Sequence, residues 1–231
     1  MVLNPAFFLL AVVLLWFPRQ WMRLGRTVGK RRKRRADVAR REEEPWKADE
    51  PGNPSVKLVA EAKKLRNYVD LLRGAAGSVT LIGGFDLQAS VSAPADAPVF
   101  LDYEVLGLQL AVLLVGLLIQ TVRYERGRLL FFAPIFFLCG MSVGLCGWKA
   151  ALFAFALIWA VNPMLKNPQG FLTIYACTLA VFGALFRGVG DKLSLAIALF
   201  SFLPVLLSML AQRPLVLFTR RGTRETVGST S

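Results

Sequence analysis

The chain has 231 residues, is 55% hydrophobic, and carries a formal net charge of +13 with 28 Lys and Arg, three Cys and no His. The absence of histidine excludes Ser-His-Asp and Cys-His catalysis, histidine acid–base chemistry and histidine metal sites. It also excludes membrane enzymes whose centres require histidine: rhomboid-type and zinc-dependent intramembrane proteases, membrane-bound O-acyltransferases and acid-phosphatase-type lipid phosphatases.

In a soluble protein this charge would point to nucleic acid. Here Lys and Arg flank long apolar runs, where membrane topology and anionic lipid account for them, so nucleic acid is not the expected partner. Residues 1–18 contain the apolar segment Leu3–Phe17, with basic charge after it rather than before it. That order predicts an uncleaved signal-anchor helix with its N-terminus outside. Trp16 and Trp21 bracket Pro18 and suit an interfacial belt.

Residues 19–54 read as a flexible cytoplasmic linker: basic first, then Glu42–Glu44, then Pro45, Pro51 and Pro54. Its densest charge is Lys30, Arg31, Arg32, Lys33, Arg34 and Arg35, the candidate contacts for anionic lipid headgroups or a protein partner. Residues 55–73 read as an amphipathic helix. Ser55 is the expected N-cap, and Leu58, Ala62, Leu65, Val69 and Leu72 recur at spacings of three and four. Such a helix is expected to lie in the headgroup plane or to dock on a partner.

Residues 74–91 (GAAGSVTLIGGFDLQASV) are only weakly apolar, and charge decides how they are read. If they do not cross, Arg123–Arg128, Lys166 and the tail residues Arg213, Arg220, Arg221 and Arg224 all fall outside. If they cross, those residues fall inside and only Lys149, Arg187 and Lys192 remain outside. The positive-inside rule therefore predicts a marginal transmembrane helix, with a re-entrant segment as the rival. It carries Asp86, an intramembrane carboxylate and so a candidate site residue. Residues 92–104 then form an external loop with Asp96, Asp102 and Glu104 and no Lys or Arg.

Residues 105–211 are an almost unbroken apolar block, broken at Arg123–Arg128, Gly147–Lys149, Lys166–Gly170 and Arg187–Lys192. Each piece is about 15–20 residues, the length of a membrane-crossing helix. Five spans are expected, two of them, 129–147 and 149–165, in a tight hairpin turned by Gly144 and Gly147. Gly140-x-x-x-Gly144 is a small-residue face suited to close helix approach. Pro134 and Pro204 are expected to kink spans. Asn162-Pro163 ends a helix, and Asn167-Pro168 leads into the next. Cys139, Cys146 and Cys177 have no metal-ligand spacing and read as small hydrophobes. Residues 212–231 form a basic cytoplasmic tail, expected to be largely disordered.

The fold expected is all-α: a polytopic bundle of about seven transmembrane helices with a cytoplasmic amphipathic helix. Besides Asp86, the intramembrane polar candidates are Gln120 and Asn162. A further cluster is assembled by topology alone: Asp86, Asp96, Asp102, Tyr103 and Glu104, with Arg187 and Lys192 facing the same side. No phosphate-binding loop or paired catalytic aspartates occur, so no catalytic, cofactor or metal site is expected and the chain reads as a non-enzyme. The expected role is scaffold, assembly or partner binding in a bacterial-type inner membrane, through residues 19–73 and anionic lipid, and is compatible with a homo-oligomer. The alternative is a small transporter or channel-like subunit using Asp86 or the external acidic loop.

Overall fold

The computed structural model describes residues 4–18, 65–92, 103–125, 128–165, 167–213 and 215–216. The basic run Lys30–Arg35, the linker, residues 55–64, most of the acidic loop and the tail beyond 216 lie outside these residues. The chain is mostly helical. Its helices are α1 (Pro5–Trp16), α2 (Leu65–Ser92), α3 (Tyr103–Thr121), α4 (Ile135–Leu145), α5 (Gly147–Val161), α6 (Pro168–Arg187) and α7 (Lys192–Leu210). A 3₁₀ turn, Asn162–Met164, follows α5. Among the described residues, four segments are long and apolar enough to cross a membrane: α3, α5 with its 3₁₀ turn, α6 and α7.

Local chemistry sets most helix ends. Asn4 caps α1 by accepting from the Ala6 amide, with Pro5 at the first helical position. Asn167 accepts from the Gly170 amide at 2.8 Å ahead of Pro168, so Asn167-Pro168 starts α6. Asp191 caps α7 by accepting from the Ser194 amide at 3.0 Å. Gly147, at φ 82°, makes the turn between α4 and α5, in a backbone region that side-chain-bearing residues avoid; Gly144, expected to share in it, lies inside α4 instead, against Ser78. Pro204 lies inside α7.

Three expectations are corrected. First, residues 65–73 and 74–91 belong to one continuous helix, α2, of 28 residues. Gly74 and Gly77 do not break it, because both lie where neighbouring helices press closest. A Cβ on Gly77 would stand 2.7 Å from Leu15 Cγ, and one on Gly74 would reach the Phe137 carbonyl oxygen. Second, this part of α2 is built into the bundle by its polar face, a face the sequence reading gave no packing role. Leu65, Tyr68, Val69 and Leu72 are exposed, while Asn67, Asp70, Arg73 and Ser78 are buried. The apolar stripe faces outward because the polar and small stripe is the one that fits against α1 and α4.

Third, the span expected over 129–147 is half strand and half helix. Val122–Glu125 (β1) and Arg128–Phe132 (β2) form an antiparallel hairpin pairing Val122 with Phe131 and Arg123 with Leu130. Leu215–Val216 (β3) adds to it in parallel, opposite Phe131 and Phe132. Pro134 stands at the N-cap of α4 rather than kinking a longer helix. Proline disfavours helical backbone in the residue before it, so the chain enters α4 from extended structure. The strands satisfy one another's backbone groups, which buried extended chain requires. What remains of α4 is about 16 Å long and apolar on every side. Accordingly Ile135–Ser142 and Leu145 are all buried.

The packing centres on α2 and α4, the most extensive helix contact among the described residues. They run parallel: Gly140 meets Leu71 and Ala75, and Gly144 meets Ser78. Against α1 the direction of α2 reverses, with Gly77 at Leu15 and Gly84 at Phe7. Helices α6 and α7 are antiparallel, with Gly183 against Ser194 and Gln169 donating to Ser208 at 3.1 Å. The core runs through this centre, from Leu15, Leu113 and Leu117 to Leu138, Met141, Tyr175 and Ile197.

Candidate functional site

The expected polar candidates separate. Gln120 is buried at the end of α3, and its Nε2 donates to the Phe17 carbonyl at 3.0 Å. It joins α3 to the end of α1, a packing task like that of Trp16, whose Nε1 donates to the Val112 carbonyl at 3.0 Å. Asn162 is buried in the 3₁₀ turn after α5, and the Leu165 amide donates to its main-chain carbonyl at 3.0 Å. Asp86 lies on the second half of α2. Gln120 and Asn162 are set on different helix ends and form no shared site.

Part of the topological cluster does come together. Lys192 at the start of α7 places Nζ 4.2 Å from the centre of the Tyr103 ring at the start of α3, a cation–π contact. Nearby in sequence, Arg187 pairs with Asp191 at 3.1 Å, and Asp191 also accepts from Ser194 Oγ at 2.5 Å. Arg187 Nη1 also lies near Gly147, so the α4–α5 turn is at this same end. These contacts tie the ends of helices together. Asp96 and Asp102 lie outside the described residues.

The densest buried polarity was not expected. On α2, Asn67 is 1% exposed, Asp70 2% and Arg73 7%. Arg73 Nη1 stands 3.9 Å from Asp70 Oδ1, and its Cζ lies 5.6 Å from the centre of the Phe137 ring. Arg123 of β1 is buried as well, with Cζ 4.5 Å from the centre of the Phe132 ring. Phe132 and Phe137 flank the Ala133-Pro134 junction, so two arginines stand on aromatic rings either side of the strand-to-helix change. A sequence signal for this existed. Asn67, Asp70, Gly74, Gly77, Ser78 and Leu81 recur at helical spacing. It is masked because the apolar stripe of Leu65, Val69 and Leu72 is also at helical spacing, and a surface helix would leave the opposite, polar stripe without a packing role.

Elsewhere, polar side chains in the apolar helices bond across to another helix or back into their own. Ser142 Oγ donates to the Cys139 carbonyl at 2.7 Å and lies 2.9 Å from Tyr175 OH, joining α4 to α6. Thr178 and Thr173 donate back into their own helix, to the Tyr175 and Gln169 carbonyls. Cys139 and Cys146 are buried, and Cys177 is exposed on α6.

The architecture is that of a helical protein with several segments able to cross a membrane. Comparison of the chain with protein-family models, curated proteins and solved structures finds no match.

Proposed function

We propose that this chain is a multi-pass membrane protein of scaffold, assembly or partner-binding type, in a bacterial-type inner membrane. The bundle holds the protein in the bilayer, and the basic arm over residues 19–64 engages anionic lipid or a protein partner. Seven crossings are proposed, N-terminus outside and C-terminus inside, with α2 as the crossing hidden by its weak hydropathy. The alternation of direction supports this: α2 runs against α1 and with α4, and α7 runs against α6.

The observation that carries the non-enzymatic reading is the use made of polar groups within the bundle. Gln120, Ser142, Tyr175, Gln169 and Ser208 each bond to another helix or to the chain beyond one. A carrier or intramembrane enzyme keeps such groups directed at a pathway or substrate.

Two measurements test the proposal. For topology, reporter fusions after Asp96 and after Arg224 are expected to read outside and cytoplasmic, respectively. A cytoplasmic signal at Asp96 refutes the crossing by α2. For function, replacing Lys30, Arg31, Arg32, Lys33, Arg34 and Arg35 by glutamine is expected to abolish partner copurification or the cellular phenotype. Asp86→Asn is expected to leave both intact. The reverse result selects a small transporter dependent on that carboxylate.

A further inference from the structure

Arg73 is a buried cation whose hydrogen-bonding capacity is unmet. Its Nε, Nη1 and Nη2 are enclosed by protein and donate no hydrogen bond among the described residues. Asp70 stands 3.9 Å from Nη1, close enough to offset charge but too far to accept a hydrogen bond. Phe137 faces the guanidinium with a ring, which offers no lone pair. A guanidinium has five donors in a planar fork and does not lose its proton in proteins. Buried polar groups almost always find a partner, and buried charges all the more so. The fork therefore calls for an acceptor that the described chain does not supply.

The surroundings indicate what kind. Leu15 packs on Gly77, one turn beyond Arg73 on α2, and α1 ends at Trp16. Arg66, half-buried, lies seven residues before Arg73 and so on nearly the same stripe, about 10 Å along the axis. Beside this basic stripe runs the exposed apolar one of Leu65, Tyr68, Val69 and Leu72. A cationic stripe next to an apolar stripe suits a molecule with an anionic head and hydrocarbon chains. The planar fork favours an oxyanion with two acceptors in one plane.

We propose that Arg73 anchors a phosphate oxyanion where α1 ends against α2, with Arg66 at its rim. The source that fits both stripes is a phospholipid headgroup; free phosphate would share only the oxyanion chemistry. This site is separate from the basic arm and does not rest on the scaffold reading.

The test begins with protein purified in mild detergent, by native mass spectrometry and phosphorus analysis. Wild type is expected to retain about one phospholipid per chain. Loss of a charge-assisted fork should reduce retention in Arg73→Gln at least about tenfold. Arg73→Lys keeps the charge and guards against a folding artefact; it too should retain less, because an ammonium cannot reproduce the fork. Neutralising Lys30–Arg35 with glutamine should leave retention unchanged. Delipidated wild type is then titrated with phosphatidylglycerol or inorganic phosphate while its melting temperature is followed. A rise with phosphatidylglycerol alone assigns a lipid source; a rise with both assigns a phosphate site open to soluble ligand. Equal retention by wild type and both Arg73 variants marks surface lipid only and overturns the proposal. So does the absence of any retained phosphorus together with no rise for either ligand. Loss of lipid on neutralising Lys30–Arg35, with Arg73→Gln unaffected, overturns it while leaving the scaffold reading intact.

Discussion

Replacing Gly140 by alanine adds one methyl group where the backbones of α4 and α2 meet. The new Cβ would lie 2.8 Å from the Ala75 nitrogen and 3.0 Å from the Leu71 carbonyl carbon, and would overlap the Leu71 carbonyl oxygen. Carbon makes comfortable contacts at about 3.5–4.0 Å. These neighbours are backbone atoms of α2, so no side chain can rotate away. Relief requires α2 and α4 to separate by about 1 Å, and a gap of that size forfeits a quarter to a half of each contact along the seam. Gly74 against Phe137 and Gly144 against Ser78 would loosen together. Overpacking of this kind costs about 1–3 kcal/mol, offset by about 0.5–1 kcal/mol from the better helix propensity of alanine. The net loss expected is about 1–2 kcal/mol, a fall of about 2–8 °C in melting temperature for a chain of this size. Gly83→Ala supplies the control. It lies in α2, the helix that Gly140 packs against, and a Cβ there would meet nothing within 4 Å, so its melting temperature should hold or rise. The assay is thermal unfolding of both variants in one detergent. Gly140→Ala melting at or above wild type would falsify the seam; an equal fall in both variants would show that the loss does not come from it.

Two further outcomes follow from single contacts. Gln120→Leu removes the donor to the Phe17 carbonyl and should cost about 1 kcal/mol. Hydrogen exchange should rise in the last turn of α1 and not in α6; a uniform rise would argue against a local role. Asp191→Ala removes the cap of α7 and its bonds to the Ser194 amide and hydroxyl, and should cost about 0.5–2 kcal/mol. Because Arg187 is 40% exposed, its ion pair with Asp191 contributes little to that loss. Asp191→Asn should therefore keep most of the stability, and a melting temperature as low as that of Asp191→Ala would show the ion pair to dominate.

Much of the fold is legible where one residue acts on its own backbone. Asn167-Pro168 starts α6 and Asp191 starts α7 because an oxygen two or three residues ahead of a free amide caps it in any context. Gly147 turns α4 into α5 for an equally local reason, its positive φ. The small-residue spacing of Gly140 and Gly144 correctly marks a close helix crossing, but its partner, α2, is a property of packing. The hairpin was hidden because Leu129–Phe132 is as apolar as a helix of a membrane span. The nearest local signals were Arg126-Gly127, a two-residue link containing glycine, and Pro134. Of the polar residues singled out, Gln120 and Asn162 are buried, and Gln120 joins α3 to the chain after α1.

The sequence by itself determined the apolar character of the chain, the positions of most helix ends and the absence of histidine chemistry, because each depends on composition or on neighbours a few residues away. Tertiary structure alone decided that 65–92 is one helix, which face of it is buried, and that strands replace the first part of the expected span over 129–147. Those outcomes are set between segments far apart in the chain. Glycines on α2 and α4 let two backbones meet, and that meeting turns Asn67, Asp70 and Arg73 inward and leaves Leu65 and Leu72 outside. Periodicity marks both stripes of α2 as helical. Only the neighbour each stripe meets determines which becomes the interior.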